Sequence, residues 1–330
     1  MTAAARSAVP ALEAVVQAGG DHVGALLEQV ETRLAEVASG HGPQLAEFAG
    51  ATIAAGGKRL RPLLVLLAAG PELPIECRPG VLNAAVAVEL VHSATLVHDD
   101  VLDGAELRRG HPTVVAVAGR RMATATGDLL FSRAFAELAR NGRTDEIRVL
   151  SDASSALARG ELLQRADAWK PDLDVDRYLE RCELKTARLF EAACRLGALE
   201  RGLPADPLAE FGRHIGLAFQ LLDDVLDVTG PAERTGKHRG TDLLDGTVTL
   251  PLILARQRDP GVAEISLRDV RSPDAAERLC DRIEASGALE SARARALDAV
   301  GEAKAVLPEL AEPQRRALGL VADGVVERYA

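Results

Sequence analysis

Aromatic residues are scarce: they make up 3% of the 330-residue chain, with six Phe, two Tyr and a single Trp. β-Sheets draw on aromatic and β-branched side chains, whereas Ala and Leu favour helices. Hydrophobic residues still reach 47%, so the core is expected to be large and built mainly from Ala, Leu and Val. Cysteine is also sparse. Cys77, Cys182, Cys194 and Cys280 are widely separated and form no CxxC pair, which argues against a disulfide framework or a cysteine zinc site and for reduced structural thiols. The start, MTAAARSAVPALEAVVQAGG, lacks a basic segment followed by an apolar one, so no signal peptide is read there. Uninterrupted apolar runs are short. PLLVLLAAG cannot span a bilayer, and VLNAAVAVELVHSATLV carries Glu89 and His92. The expectation is a soluble, cytoplasmic protein. Net positive charge is missing too. At −10 the chain is a poor partner for nucleic acid, which requires a basic face. Anionic substrates would need metal ions and local basic clusters to reverse the sign.

Helical periodicity dominates what remains. Residues 22–38 repeat Leu and Val at three- and four-residue steps with acids between. The runs 62–69 and 80–103 are apolar all round, as in helices buried at a bundle centre. Further helices are expected over 121–140, 144–166, 174–200, 205–229, 248–258, 273–286, 288–306 and 311–328, separated by Pro- and Gly-containing breaks. No strand-like alternation persists and there is no low-complexity linker. The reading is one all-α domain, a helical bundle over 1–330, with 1–20 as a flexible N-terminal segment.

The sequence Asp-Asp-Val-Leu-Asp occurs twice, at 99–103 and 223–227, each time at the end of an apolar run. Helical residues four apart share a face. Asp99 and Asp103 therefore stack above His92 and Leu96, and Asp223 and Asp227 stack above Phe219 and Gln220. Asp100 and Asp224 lie about 100° away and can still contribute at the helix end. Carboxylates in an apolar frame call for a cation. Two such faces offer the hard oxygens that Mg²⁺ prefers, leaving positions for water and phosphate. A di-iron bundle would instead require Glu and Glu-x-x-His. Basic groups stand nearby: Lys58, Arg59 and Arg61 in GGKRLRP, Arg108 and Arg109 in LRRG, Lys185 with Thr186 in ELKTARLF, and Lys237 in GKHRG. Arg grips phosphate in a bidentate fork, and Gly lets backbone approach an anion. The pattern describes two anion sites, one bridged by metal and one direct.

In order, GGKRLRP, HSATLVHDDVLD, LRRG, GDLLFSRAF, KTARLF, GLAFQLLDDVLD, GK and GTDL resemble the trans-isoprenyl diphosphate synthases, the head-to-tail polyprenyl synthetase family, over residues 50–255. The resemblance implies an isoprenoid-synthase fold, with helices around a deep central cavity, and a homodimer. It implies that Asp99 and Asp103, supported by Asp100, and Asp223, Asp224 and Asp227 hold three Mg²⁺ ions on an allylic diphosphate. Arg108, Lys185 and Lys237 would contact the same diphosphate. Lys58, Arg61, His92 and Arg109 would hold isopentenyl diphosphate, with Phe219 against its hydrocarbon, and Thr186 and Gln220 would stabilise developing charge. The departing diphosphate would take the proton. One position departs from the pattern: many members read G-K-x-T-L-P where this chain has GTVTLP, so Thr247 replaces a lysine.

Product length is expected to follow the residues before the first aspartate. Ala94 and Thr95 are small, so a floor must lie lower, with Phe131 and Phe135 as candidates. That looks like the medium- and long-chain branch, about six to ten isoprene units, with a C20 product as the alternative. Such a product seeks membranes although the protein is read as soluble. A class I terpene cyclase would ordinarily replace the second motif by an Asn/Ser/Glu triad and be rich in cation-shielding aromatics. A non-catalytic partner subunit would not need the six aspartates, all of which are present.

Overall fold

Pro in the first turn and Gly beyond the last turn suit the backbone limits of helix ends, and they set many boundaries here. The computed structural model describes residues 13–230 and 239–327. Its longer helices are α1 (Asp21–Ser39), α2 (Pro43–Ala54), α3 (Leu60–Ala68), α4 (Arg78–Asp103), α5 (Val114–Ala139), α6 (Thr144–Asp167), α7 (Val175–Cys182), α8 (Arg188–Glu200), α9 (Ala205–Thr229), α10 (Leu250–Arg258), α11 (Pro273–Ala285), α12 (Ala288–Ala305) and α13 (Glu312–Glu327). Helices α2, α4, α10 and α11 carry Pro at their start. Gly104, in the left-handed region at φ 63°, stops α4 directly after Asp103. Two short antiparallel strands, β1 (Leu107–Arg108) and β2 (His111–Pro112), form a hairpin. The all-α reading stands.

Three details depart from the expected elements. Helix α2 was not anticipated, because PQLAEFAGATIA has a weak apolar stripe; Pro43 after Gly42 was its signal. Helix α5 begins at Val114 and breaks at Gly119, φ 78°, so the anticipated helix from 121 is its longer arm. The expected helix 174–200 is interrupted by a π-turn over Glu183–Ala187. Neighbouring glycines hold that turn. A Cβ on Gly160 of α6 would stand 2.5 Å from the Lys185 nitrogen, and one on Gly216 of α9 would stand 2.6 Å from Ala187 Cα.

α4 lies at the centre, fully buried from Ala84 to Val88. It packs along α5 and against α3 and α8, while α9 packs on α8 and α12. One apolar cluster runs from Val15 to Val325. Residues 75–103 are long and apolar enough to cross a membrane, yet most of that stretch is buried inside the bundle. Of the expected flexible N-terminal segment, 13–19 is helical with Val15 buried; residues 1–12 lie outside the described residues.

Close helix approach makes particular glycines irreplaceable. A Cβ on Gly212 would lie 2.5 Å from the Phe190 carbonyl oxygen, whereas one on Gly301 meets nothing within 4 Å. Gly212→Ala should therefore cost about 1–3 kcal/mol through overpacking. Gly301→Ala should gain about 0.5–1 kcal/mol through helix propensity. Thermal denaturation of both variants reads this out; equal melting temperatures would contradict the packing.

Candidate active site

The two aspartate motifs end α4 and α9, and each divides into outer and inner carboxylates. Asp103 and Asp223 are exposed and Asp99 and Asp227 are half-buried. Asp100 and Asp224, by contrast, turn inward at 5% and 4% exposure. Arg108 Nε donates to Asp100 Oδ1 at 2.7 Å. Tyr178 Oη donates to Asp224 Oδ2 at 2.5 Å, and Gln220 Nε2 to Asp224 Oδ1 at 2.8 Å. The middle carboxylates thus anchor their helix ends, and the outer pairs face accessible space. Burial raises Asp224, with Asp242 reinforcing it; Tyr178, Arg181 and Gln220 oppose.

The π-turn joins the motifs. Lys185 Nζ donates to Glu161 Oε2 at 2.5 Å, and both groups act on the charge of Asp99. The next residue, Thr186, faces the other motif: its hydroxyl donates to Gln220 Oε1 at 2.6 Å. A π-turn carries one residue more than an α-turn, which lets adjacent side chains serve two separate carboxylate clusters. Arg165 completes the first cluster by pairing with Glu161 at 2.8 Å and with Asp103. Burial opposes ionisation of Glu161, but Lys185 and Arg165 outweigh it and hold its carboxyl below the usual range.

A cation pocket lies two turns below Asp99 on α4. Gly110, φ 80°, and Arg109, φ 53°, form the tip of the β1–β2 hairpin. The Arg109 guanidinium comes within 3.0 Å of where a Gly57 Cβ would stand, beside Lys58. Arg61 lies 4.5 Å from the Phe190 ring centroid, and Phe190 packs on Phe219 at 5.7 Å. The Arg61 Nε is sealed from solvent without an acceptor. Burial brings this guanidinium down to about 10, so it is charged at neutral pH. His92 is pulled well below 6.5 by burial and by Arg61, Arg109, Arg108 and Arg59. A half-buried arginine with an unused donor, a neutral imidazole and two further cations make a site for an anion.

Arg59 leaves the expected phosphate-binding cluster. It pairs with Glu31 at 2.5 Å and with buried Glu89 at 2.7 Å, and adopts φ 46° to do so. Burial opposes its charge, yet Glu31 and Glu89 raise its pKa. Sequence reasoning missed the supporting roles of Glu89, Glu161, Tyr178, Arg181 and Phe190. A Glu in the apolar AVAVELVHS was a legible signal; the others sit in unremarkable helical sequence.

The four residues expected to set chain length fall in different surroundings. Ala94 is fully buried, because the 100° step from Thr95 turns it into the helix packing. Thr95 is half-buried, and its hydroxyl donates to the His92 carbonyl at 2.7 Å. Phe131 stacks on His98 at 5.8 Å. Phe135 lies one turn further along α5, half-buried against the core. Lys237 lies outside the described residues. Thr247 is half-buried, with its N–H donating to the Asp242 carbonyl at 2.8 Å.

The outer carboxylates fit Mg²⁺. Burial, reinforced by Glu161 and Asp103, pushes Asp99 up to about 6 despite Lys185 and Arg108. That excess of acid is relieved by a cation. Among the described residues no three His, Cys, Asp or Glu converge to hold an ion unaided. An ion held by one carboxylate pair would complete its shell with water and phosphate oxygens, as Mg²⁺ does.

A family model for polyprenyl synthetases matches residues 43–282. The heptaprenyl diphosphate synthase component 2 of Geobacillus stearothermophilus is 43% identical over 249 residues, covering 74% of this chain and 75% of that one. The octaprenyl diphosphate synthase of Escherichia coli is 36% identical over 284 residues, covering 84% and 87%. Among solved structures, a polyprenyl synthase from Caulobacter crescentus complexed with calcium and isoprenyl diphosphate aligns with a TM-score of 0.87 at 35% identity, covering 97% of this chain and 98% of that one.

The neutral His92 has a thermodynamic consequence. The unfolded chain takes up a proton at this residue near 6.5, whereas the native chain does not. Below that pH the unfolded state binds more protons, so stability falls as pH falls. His92→Gln removes this contribution. Its melting temperature should drop less than that of the native chain between about pH 7 and pH 5; equal slopes would mean that His92 is protonated in the native state.

Proposed function

This chain belongs to the polyprenyl synthetase family, whose members are transferases, and from that premise we propose that it is a Mg²⁺-dependent polyprenyl diphosphate synthase. It adds isopentenyl diphosphate units head-to-tail to an allylic diphosphate and releases diphosphate. One observation carries this reading: a single stripe of α4 bears the Asp99–Asp103 pair and, seven residues below, His92 inside a cation pocket. Seven residues span about 10 Å of helix, enough to separate two diphosphate groups while their hydrocarbon ends meet.

Asp99, Asp103, Asp223 and Asp227 would hold Mg²⁺, which when bound neutralises the allylic diphosphate as a leaving group. Lys185, held by Glu161, and Arg108, held by Asp100, add positive charge at the same end. Thr186 donates its proton to Gln220, so its oxygen lone pairs remain available to the allylic carbon as positive charge develops there. Lys58, Arg61 and Arg109 hold the isopentenyl diphosphate. His92, neutral, adds no further charge to the arginines around it. The apolar helices keep water from the reactive cation, and the departing diphosphate takes the proton.

Similarity to hepta- and octaprenyl synthases supports a product of about six to ten isoprene units. Partly accessible Thr95, small and on the aspartate side of α4, is compatible with that length. The assembly is taken as a homodimer, and four unpaired cysteines support a cytoplasmic location. A second reading, favoured by the relative that is one component of a heptaprenyl synthase, makes this chain the catalytic half of a two-component enzyme.

Incubating the purified chain with Mg²⁺, labelled isopentenyl diphosphate and C5, C10, C15 or C20 allylic primers distinguishes these readings. The expected products are about C30–C50. Asp99→Asn and Asp223→Asn should each lower turnover at least about 10²-fold, the scale for losing one contact to developing charge. A ladder ending at C20 would retain the class and overturn the length. Absence of turnover by the chain alone would favour the two-component enzyme, and turnover would remove the need for a partner.

A further inference from the structure

Arg181, near the end of α7, is 4% exposed. A buried guanidinium is tolerated only with compensating partners, and this one is incompletely satisfied. Its Nη2 donates to the Val248 carbonyl at 2.6 Å. Its guanidinium carbon lies 5.2 Å from the centroid of the Tyr178 ring, the ring whose hydroxyl holds Asp224. Its Nη1 is sealed from solvent and meets no acceptor.

The surroundings explain why a cation stands there. The segment 240–248 folds onto the end of α9. The Gly240 N–H donates to the Asp227 carbonyl at 2.8 Å and the Asp242 N–H to Asp227 Oδ2 at 3.2 Å. Asp242 is thereby brought to a helix end that already carries Asp223, Asp224 and Asp227. Arg181 and Asp242 both act on the charge of Asp224, with opposite signs. Arg181 grips the segment at Val248, one residue beyond Thr247, a position that contributes no charge.

We propose that Arg181 is a positioning residue of the second aspartate pair: it pins the 240–248 segment through Val248 and supplies, from within the bundle, positive charge beneath Asp223 and Asp227 that Thr247 does not. The role rests on the synthase reading above, and it predicts a site-specific defect. Loss of the charge should weaken the Mg²⁺-dependent diphosphate site on α9 and leave the cation pocket around Arg61 intact. A lysine at 247 should restore what is lost.

The test uses Arg181→Gln, Arg181→Lys, Thr247→Lys and the double variant Arg181→Gln/Thr247→Lys in the full chain, so that the two single changes and their combination close a cycle. Calorimetric titration with inorganic diphosphate, with and without Mg²⁺, reads the site without turnover. Arg181→Gln should weaken the Mg²⁺-dependent part of binding about tenfold, the scale of a lost charge-assisted contact. Arg181→Lys should retain most of it, and the double variant should recover at least half of the loss on a logarithmic scale. Steady-state kinetics should show kcat/KM for the allylic primer falling in parallel, with KM for isopentenyl diphosphate unchanged. A purely structural arginine would give additive effects in the double variant and a fall in melting temperature that tracks the binding loss. Either result, or Arg181→Gln binding as the native chain does, overturns the proposal. A native chain that binds Mg²⁺ and diphosphate in this pattern but never extends a primer would overturn the synthase reading and leave the role of Arg181 supported.

Discussion

Glu89 sits midway along α4, walled by apolar helices, where an ionised carboxylate persists only if cations reach it. Arg59 does so at 2.7 Å, from a left-handed backbone whose strain is of order 1–3 kcal/mol. That contact fixes the turn between α2 and α3. It leaves Lys58 exposed on one side and sends Arg61 over Phe190 on the other. Burial resists ionisation of Glu89, and Arg59, Arg61 and Arg109 oppose that rise. The same cations, added to burial, keep His92 neutral one turn along the helix. One acid within the core thus organises an anion pocket at the surface, because neither arginine could be drawn inward without it.

Local charge matters more than the total. A chain of net charge −10 accommodates anions by sorting its charges along helices. Inner carboxylates are neutralised within the protein, outer ones face accessible space, and arginines are gathered two turns away. The π-turn couples these zones: Lys185 belongs to the α4 cluster and Thr186 to the α9 cluster. Positioning that would otherwise need two elements is done by two adjacent residues.

The fold was legible wherever helices were long and apolar. The ends of α4, α6 and α9 fell within two residues of expectation, since Pro, Gly and charge mark them. α2 was illegible because its small residues give little periodicity. The π-turn was illegible because it is imposed by Gly160 and Gly216 from other helices. In the site, repetition of the aspartate motif revealed the outer carboxylates. The inward turn of Asp100 and Asp224, the capture of Arg59 by Glu89 and the stacking of Phe131 on His98 depend on tertiary partners, which spacing along one helix cannot encode. Ala94 shows the limit well. Its small size is legible in the sequence, and its burial in the helix packing is not.

The π-turn also constrains how this chain can change over evolutionary time. A π-turn is an α-helix with one residue inserted, so α7 and α8 are out of phase by about 100°. Deleting any residue of 183–187 would give a smoother helix, but it would rotate α7 about its axis relative to α8. Tyr178 would swing away from Asp224 while Phe190 stayed beneath Arg61. A single-codon deletion is therefore excluded, and the length of the segment is held as tightly as the Lys185 and Thr186 it carries.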